Sequence, residues 1–353
     1  MTATDRAPAA AGRAAGRPGL ARTLGTRSGW FAVTLLVLAA VVVLSIAIGA
    51  KDIAPHTVLA TLLGHRGSDN DLIILDVRLP RTVLGLLVGA ALGVAGALIQ
   101  AMTRNPLADP GILGVNAGAS FFVVLAVGVF GLASIWSYIW FAFAGAVVTT
   151  LVVYVIGSAG RGGGTPVRLT LAGVALSAVL TGVSSGITLL DPSAFDQLRY
   201  WQAGSLSGRG YDIVVAVLPF LAAGLAVAFA IARSLNAVAL GDELAAALGV
   251  RTVRVRLFGV VAVTLLCGAA TAAVGPIAFV GLMVPHVARW LIGPDQRWIV
   301  AFSATMAPVL LLVSDVVGRL VARPGELQVG IVTAVIGAPV LIYLVRRKRA
   351  SGL

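Results

Sequence analysis

Few side chains in this chain could carry out chemistry, and their types and spacing exclude more than they allow. No Gly-x4-Gly-Lys-Ser/Thr run occurs, and the only lysines are Lys51 and Lys348, so there is no phosphate-cradling loop with which to bind ATP. Any ATP and its Mg must sit on a partner; no cofactor, catalytic residue or metal ligand is expected here. His56, His65 and His286 are too scattered for a metal site, and the single Cys267 excludes an internal disulfide or a cysteine cluster. One carboxylate, Asp315, lies inside a long apolar run. Buried charge in a membrane segment is costly and is the usual mark of ion coupling; Arg319, four residues on, offers instead an i,i+4 pair near the membrane interface.

Two further groupings are informative. The segment 168–190 and its edge carry Thr170, Ser177, Thr181, Ser184, Ser185 and Thr188; at about 100° per residue these six hydroxyls share roughly a 100° arc of one helix. Such a stripe serves either as glue between helices, with hydroxyls also bonding back to the i−4 carbonyl, or as the wall of a wetted pathway for a polar solute. The loop 232–256 contains Gly241-Asp242-Glu243-Leu244-Ala245-Ala246-Ala247-Leu248-Gly249. An acidic first turn and a terminating glycine predict a short helix over 242–248. Its Leu and Ala faces suit docking by another protein, packing onto the chain's own bundle being the alternative.

The elements that must position these groups are membrane helices. Apolar side chains make up 59% of the 353 residues, with 42 glycines besides, and charged residues only 11%, where soluble domains carry about 25%. Too little polar surface exists to solvate a globule, so a soluble enzyme is excluded. The net charge of +12 does not indicate nucleic acid, because the basic residues lie between apolar runs and at the termini, with no aromatic-interleaved face. At about 20 residues per crossing, spans fall near 30–50, 82–102, 112–130, 137–157, 168–190, 213–231, 257–274, 276–291, 299–319 and 328–345. Gly275-Pro276 divides the long run 257–291 into two short helices. With both termini inside, 18 of the 26 Lys and Arg residues fall on the cytoplasmic side, as the positive-inside rule requires. The expected organisation is a disordered basic tail over 1–29 attracted to anionic lipid, a membrane domain over 30–346 and a cytoplasmic tail over 347–353.

On this all-α framework the run Arg78-Leu79-Pro80-Arg81, then Gly89-Ala90-Ala91-Leu92, Gly96, Gln100, Arg104-Asn105-Pro106-Leu107-Ala108-Asp109-Pro110 and Leu113-Gly114-Val115 resembles the signature of FecCD-type permeases. These are the membrane subunits of ABC importers for iron-siderophores, haem and vitamin B12. The resemblance continues through Leu171-Ala172-Gly173-Val174, Gly241 to Gly249, Gly275 to Gly281, Pro285-His286, Asp315 to Arg319 and Gly337-Ala338-Pro339.

It implies a polytopic type II importer fold of about ten helices in a bacterial cytoplasmic membrane. The implied partners are a second permease, two ATPases, an extracytoplasmic binding protein and a ferric siderophore, with cobalamin or haem as alternative cargo. On the ATPase side, Gly241, Asp242, Glu243, Ala245, Leu248 and Gly249 are expected to couple hydrolysis to the spans. Asn105, Pro106, Leu107, Thr165 and Pro166 are expected to form a cytoplasmic gate, and Asn116 with the six hydroxyls the pathway. Arg78, Arg81 and Arg319 are expected to meet acidic residues of the binding protein. An ion-coupled secondary transporter is the alternative of another class, and it would need membrane carboxylates beyond Asp315.

Overall fold

The computed structural model describes residues 23–49, 51–64, 70–132, 134–159, 165–323 and 325–347. In chain order its α-helices are α1 (Leu24–Ala47), α2 (Pro55–Leu62), α3 (Asn70–Leu72), α4 (Leu79–Thr103), α5 (Val115–Gly128), α6 (Ile135–Ser158), α7 (Pro166–Leu190), α8 (Pro192–Gln202), α9 (Tyr211–Leu240), α10 (Asp242–Ala247), α11 (Thr252–Val274), α12 (Val280–Ile292), α13 (Gln296–Val321) and α14 (Val329–Arg347). A π-helical segment, Ile73–Arg78, leads into α4, and a 3-10 turn, Pro110–Leu113, precedes α5. Seven helices are long and apolar enough to cross a membrane, and α5, α12 and the apolar part of α14 are shorter apolar helices. Together they occupy the ten expected spans.

α4 is the spine, packed on α13, α11, α9 and α12. Its glycines let neighbouring backbones touch: a Cβ at Gly89 would strike the backbone of Pro308, one at Gly93 the Ser303 carbonyl, and one at Gly96 the backbone of Gly281. In lipid no hydrophobic drive separates helix from bilayer, so this close van der Waals approach is what joins them. Most of the apolar window is buried in α4 and α11 (78% each) but little in α1 (17%) and α7 (11%). Phe31 of α1 docks edge-on to Phe302 and Trp298 of α13.

The break in the 257–291 run is real and lies where Gly275-Pro276 stands. Gly275 has φ 81 and faces the Trp201 carbonyl, and Phe279 has φ 68, so α11 ends and α12 restarts with five non-helical residues between them. Two boundaries differ from expectation. α1 starts at Leu24, inside the proposed 1–29 tail, because Thr23 and Thr26 form a reciprocal capping box ahead of the apolar run. Residues 1–22, His65 and the C-terminal tail from Lys348 lie outside the described residues. α9 runs on to Leu240, so the 232–256 loop is mostly helix; Asn236 accounts for the extension by donating to Asp295 (3.0 Å) and accepting from the Gln296 amide (2.7 Å).

The bundle has two chemically distinct ends. One gathers the start of α1, the α4–α5 connection, α10 and the α12–α13 turn, where Arg27 pairs with Asp295 at 3.6 Å. The other gathers the end of α1, the π segment, the Trp201–Gly210 connection, the Gly275 break and the α13–α14 connection, where Gly330 donates to the Gly204 carbonyl.

Candidate transport and coupling sites

At the first end, Arg104 closes α4 in the left-handed conformation (φ 52) and turns the chain into Asn105-Pro106-Leu107. The Asn105 side chain accepts from the Leu107 amide at 2.9 Å, and its carbonyl accepts from Ala108, which makes a rigid polar turn. Asp109 then caps the 3-10 turn, accepting from the Gly111 amide at 2.8 Å. Burial pushes its carboxyl above the ordinary range, and the Gly111 bond offsets this only in part. Thr165 caps α7 through the Arg168 amide, and Pro166 occupies the first helical position, where its missing N–H costs nothing. Met102, Thr103, Ile112, Pro166, Thr170 and Arg256 line one small apolar cleft. Of the residues expected to act as a gate, Pro166 lines this cleft, against the end of α4 and the 3-10 turn; Asn105, Pro106, Leu107 and Thr165 do not line it.

α10 stands at the same end. Its last turn is a Schellman cap: Val250 donates to the Ala245 carbonyl, Gly249 to that of Ala246, and Gly249 has φ 76. Gly241, at φ 114, makes the corner from α9. Leu244 (57% exposed) and Leu248 (65%) face outward, Glu243 is exposed, and Asp242 pairs with Arg256 at 2.8 Å. Ala245 is fully buried inside this chain. It therefore seats α10 on α9 and offers no surface to a partner, which corrects the role expected for it.

The α7 stripe is real in geometry but divided in exposure. Thr181 and Ser185 are exposed, Thr170, Ser177 and Thr188 half-buried, and Ser184 buried. Thr170, Ser184, Ser185 and Thr188 each donate to a carbonyl of α7 itself, at 2.8 to 3.1 Å. These four hydroxyls are satisfied locally and present outward only residual acceptor capacity. Asn116 does not join them. Its Oδ1 accepts from Thr271 at 3.0 Å and lies 4.0 Å from the Cys267 sulfur, so it links α5 to α11 in the bundle interior.

The three arginines at the opposite end do not form an exposed docking surface. Arg78 is 4% exposed, Arg81 5% and Arg319 2%. Arg78 donates to the carbonyls of Ile46, Ala47 and Lys51, and Arg319 to those of Ser45 and Ile48. Arg323 adds a bond to Gly49. These guanidinium groups satisfy the orphan carbonyls at the C-terminus of α1 and complement its dipole. Arg81 grips Asp315 (2.7 Å) and Glu326 (2.8 Å), while Asp315 also takes Arg319 at 2.8 Å. The i,i+4 pair expected of Asp315 is present, yet buried and shared rather than interfacial. Charge counting alone could not show this, because apart from the local Asp315–Arg319 pair the groups that engage these arginines lie on other elements of the chain.

Residue reasoning gave no role to Gln100 or Arg289. Buried Gln100 donates to the Leu282 carbonyl at 2.9 Å and accepts from Arg289 at 3.4 Å. Polar side chains in the last turns of two apolar helices were the available signal.

A family profile described as the FecCD transport family matches residues 36–347. The chain belongs to the FecCD transport family. As a FecCD chain it is a transport permease, a multi-pass protein of a bacterial membrane, and not an enzyme. It is 54% identical over 319 residues to the ferric enterobactin transport system permease protein FepD of Escherichia coli (strain K12), covering 90% of this chain and 95% of that one. The Fe(3+)-citrate import system permease protein YfmD of Bacillus subtilis (strain 168) is 43% identical, over 90% and 95%. The fold also matches the solved inward-facing structure of a metal-chelate type ABC transporter, with TM-score 0.79 and 24% identity over 91% of this chain and 99% of that one. That likeness establishes for this FecCD chain the architecture alone.

Proposed function

We propose that this chain is the permease subunit of an ABC importer that carries a ferric siderophore across the cytoplasmic membrane. It works beside a second permease, with ATP hydrolysed on two separate ATPase subunits and cargo delivered by an extracytoplasmic binding protein. The observation that carries this reading is the 54% identity to a ferric enterobactin permease over nearly the whole of both chains. Iron chelates also stand in the names of the citrate and hydroxamate permeases among its relatives, which favours ferric siderophore over cobalamin or haem.

The geometry supports a division of labour. Both termini and α10 face the cytoplasm, where exposed Leu244, Leu248 and Glu243 meet the ATPase. The Asn105–Leu107 turn after α4 and Thr165-Pro166 at the start of α7 close the pathway on that side. α7, the least buried span, faces the second permease and the solute. Since Asp315 is held by Arg81 and Arg319, it is unavailable for ion coupling. The test is uptake of labelled ferric siderophores and cobalamin in a strain lacking the gene, with and without the plasmid-borne chain. Restored uptake of cobalamin, with none of any ferric siderophore, would overturn the cargo assignment.

A further inference from the structure

The α4–α12 contact carries more polar chemistry than packing needs. Pro285 lacks an N–H, so the Gly281 carbonyl has no i+4 donor within α12, and that residue's backbone lies directly against Gly96 of α4. One turn further along α4, buried Gln100 donates to the next carbonyl of α12, Leu282, at 2.9 Å. The Gln100 side-chain oxygen accepts from Arg289 of α12 at 3.4 Å, and its main-chain carbonyl accepts from the Asn105 amide at 3.2 Å. Gln100 therefore bonds at once to α12, to a cation on α12, and to the first residue of the turn assigned to the cytoplasmic gate. Beyond the turn, Pro110 packs over Gly281. The gate segment is thus held to α12 on both sides of Asn105–Leu107. On its far flank, the Ile112 carbonyl rests against Gly173 of α7.

Arg289 is the weak member of this set. Its Nη1 is buried with no hydrogen-bond partner among the described residues, no carboxylate there pairs with it, and its bond to Gln100 is long at 3.4 Å. A buried polar group left unsatisfied costs roughly 1–3 kcal/mol, more when charged, so the guanidinium gains from any rearrangement that gives Nη1 an acceptor. A contact that is poorly satisfied in one state and can improve in another is what a two-state element needs.

From this we infer that Gln100 and Arg289 are positioning residues for gating: they make the Asn105–Leu107 turn follow α12, so that movement of α12 relative to α7 opens and closes the pathway at that turn. The inference rests on the gate reading above. It is tested in the full transporter in proteoliposomes, with Asn105→Cys reacting with a polar thiol reagent in the nucleotide-free and ATP-trapped states; buried Cys267 supplies a slow background. In the otherwise native chain the reaction rate should depend on nucleotide. In Gln100→Leu that dependence should be lost while ATPase stimulation by loaded binding protein persists, a combination that general destabilisation would not give. Gln100→Glu, which can still accept from Arg289 but can no longer donate to the Leu282 carbonyl, should retain part of it. Arg289→Met, a milder change should Gln100→Leu fail to assemble, should weaken it. Nucleotide dependence undiminished in both Gln100→Leu and Arg289→Met would overturn the latch. Equal loss in Gln100→Glu and Gln100→Leu would remove Arg289 from it. No dependence in the native background would overturn the gate itself, and the latch with it.

Discussion

Asp315, 1% exposed, balances two buried guanidinium groups from different helices, and its removal is the sharpest test of how the end opposite α10 is held. Asp315→Asn leaves Arg81 and Arg319 without their shared anion, and breaking a buried pair in this way costs about 3–5 kcal/mol. Thermal unfolding in detergent should show a large loss. Glu326→Gln, at a carboxylate 28% exposed, should cost no more than about 1 kcal/mol. Equal losses would mean that Arg81 is held chiefly by Glu326. At this scale the sequence was legible in part. The Arg78, Arg81, Asp315 and Arg319 pattern is visible as charge beside apolar runs, but Arg78 and Arg319 are held by carbonyls between residues 45 and 51 and Arg81 by Asp315 and Glu326, and no local signal carries contacts across elements in this way. Asn116 illustrates the same limit: its side chain turns to Thr271 on α11, which nothing in the α5 sequence could announce.

Among the elements, α10 and α7 carry the clearest expectations. Gly249 at φ 76 closes the Schellman cap of α10, where an L-residue costs about 1–2 kcal/mol and a β-branched one fits worst. Gly249→Val should lower uptake and transport-stimulated ATPase activity together while membrane levels hold. Gly249→Asn should be tolerated, since Asn accepts the left-handed conformation. On α7, cysteines at Thr181 and Ser185 should react readily with a polar reagent in the solubilised single chain and slow when the transporter is assembled. Unchanged rates would show that this face meets lipid instead. Helix existence was legible because apolar runs bounded by Gly and Pro set it, as at Gly275-Pro276. The ends were less so, since α1 and α9 are extended by polar residues, Thr23 and Asn236, whose capping and bridging bonds a hydropathy window does not register.

For the whole molecule, the ten-span reading makes a topology that labelling can check. A cysteine at Asp52 should react with an impermeant reagent in whole cells, and one at Glu243 only in inverted membranes; labelling of both from one side would refute it. The ten-helix count was legible from span length, the Gly-Pro break and the distribution of arginine, whereas the centrality of α4 was not, because its glycines matter through what they touch on α12 and α13. The capped end of α1 has a consequence for biogenesis. α1 emerges from the ribosome well before α13, since Arg319, which holds the Ser45 and Ile48 carbonyls, follows 274 residues after Ser45. At about 5–20 residues per second that interval is on the order of tens of seconds. For most of it, α1 has the early Arg78 bonds to Ile46 and Ala47 but neither the Arg319 bonds to Ser45 and Ile48 nor the α13 aromatics against Phe31, and is held at its end only in part. Nascent chains arrested before residue 319 should therefore keep the end of α1 open to protease, and chains released beyond it should close it.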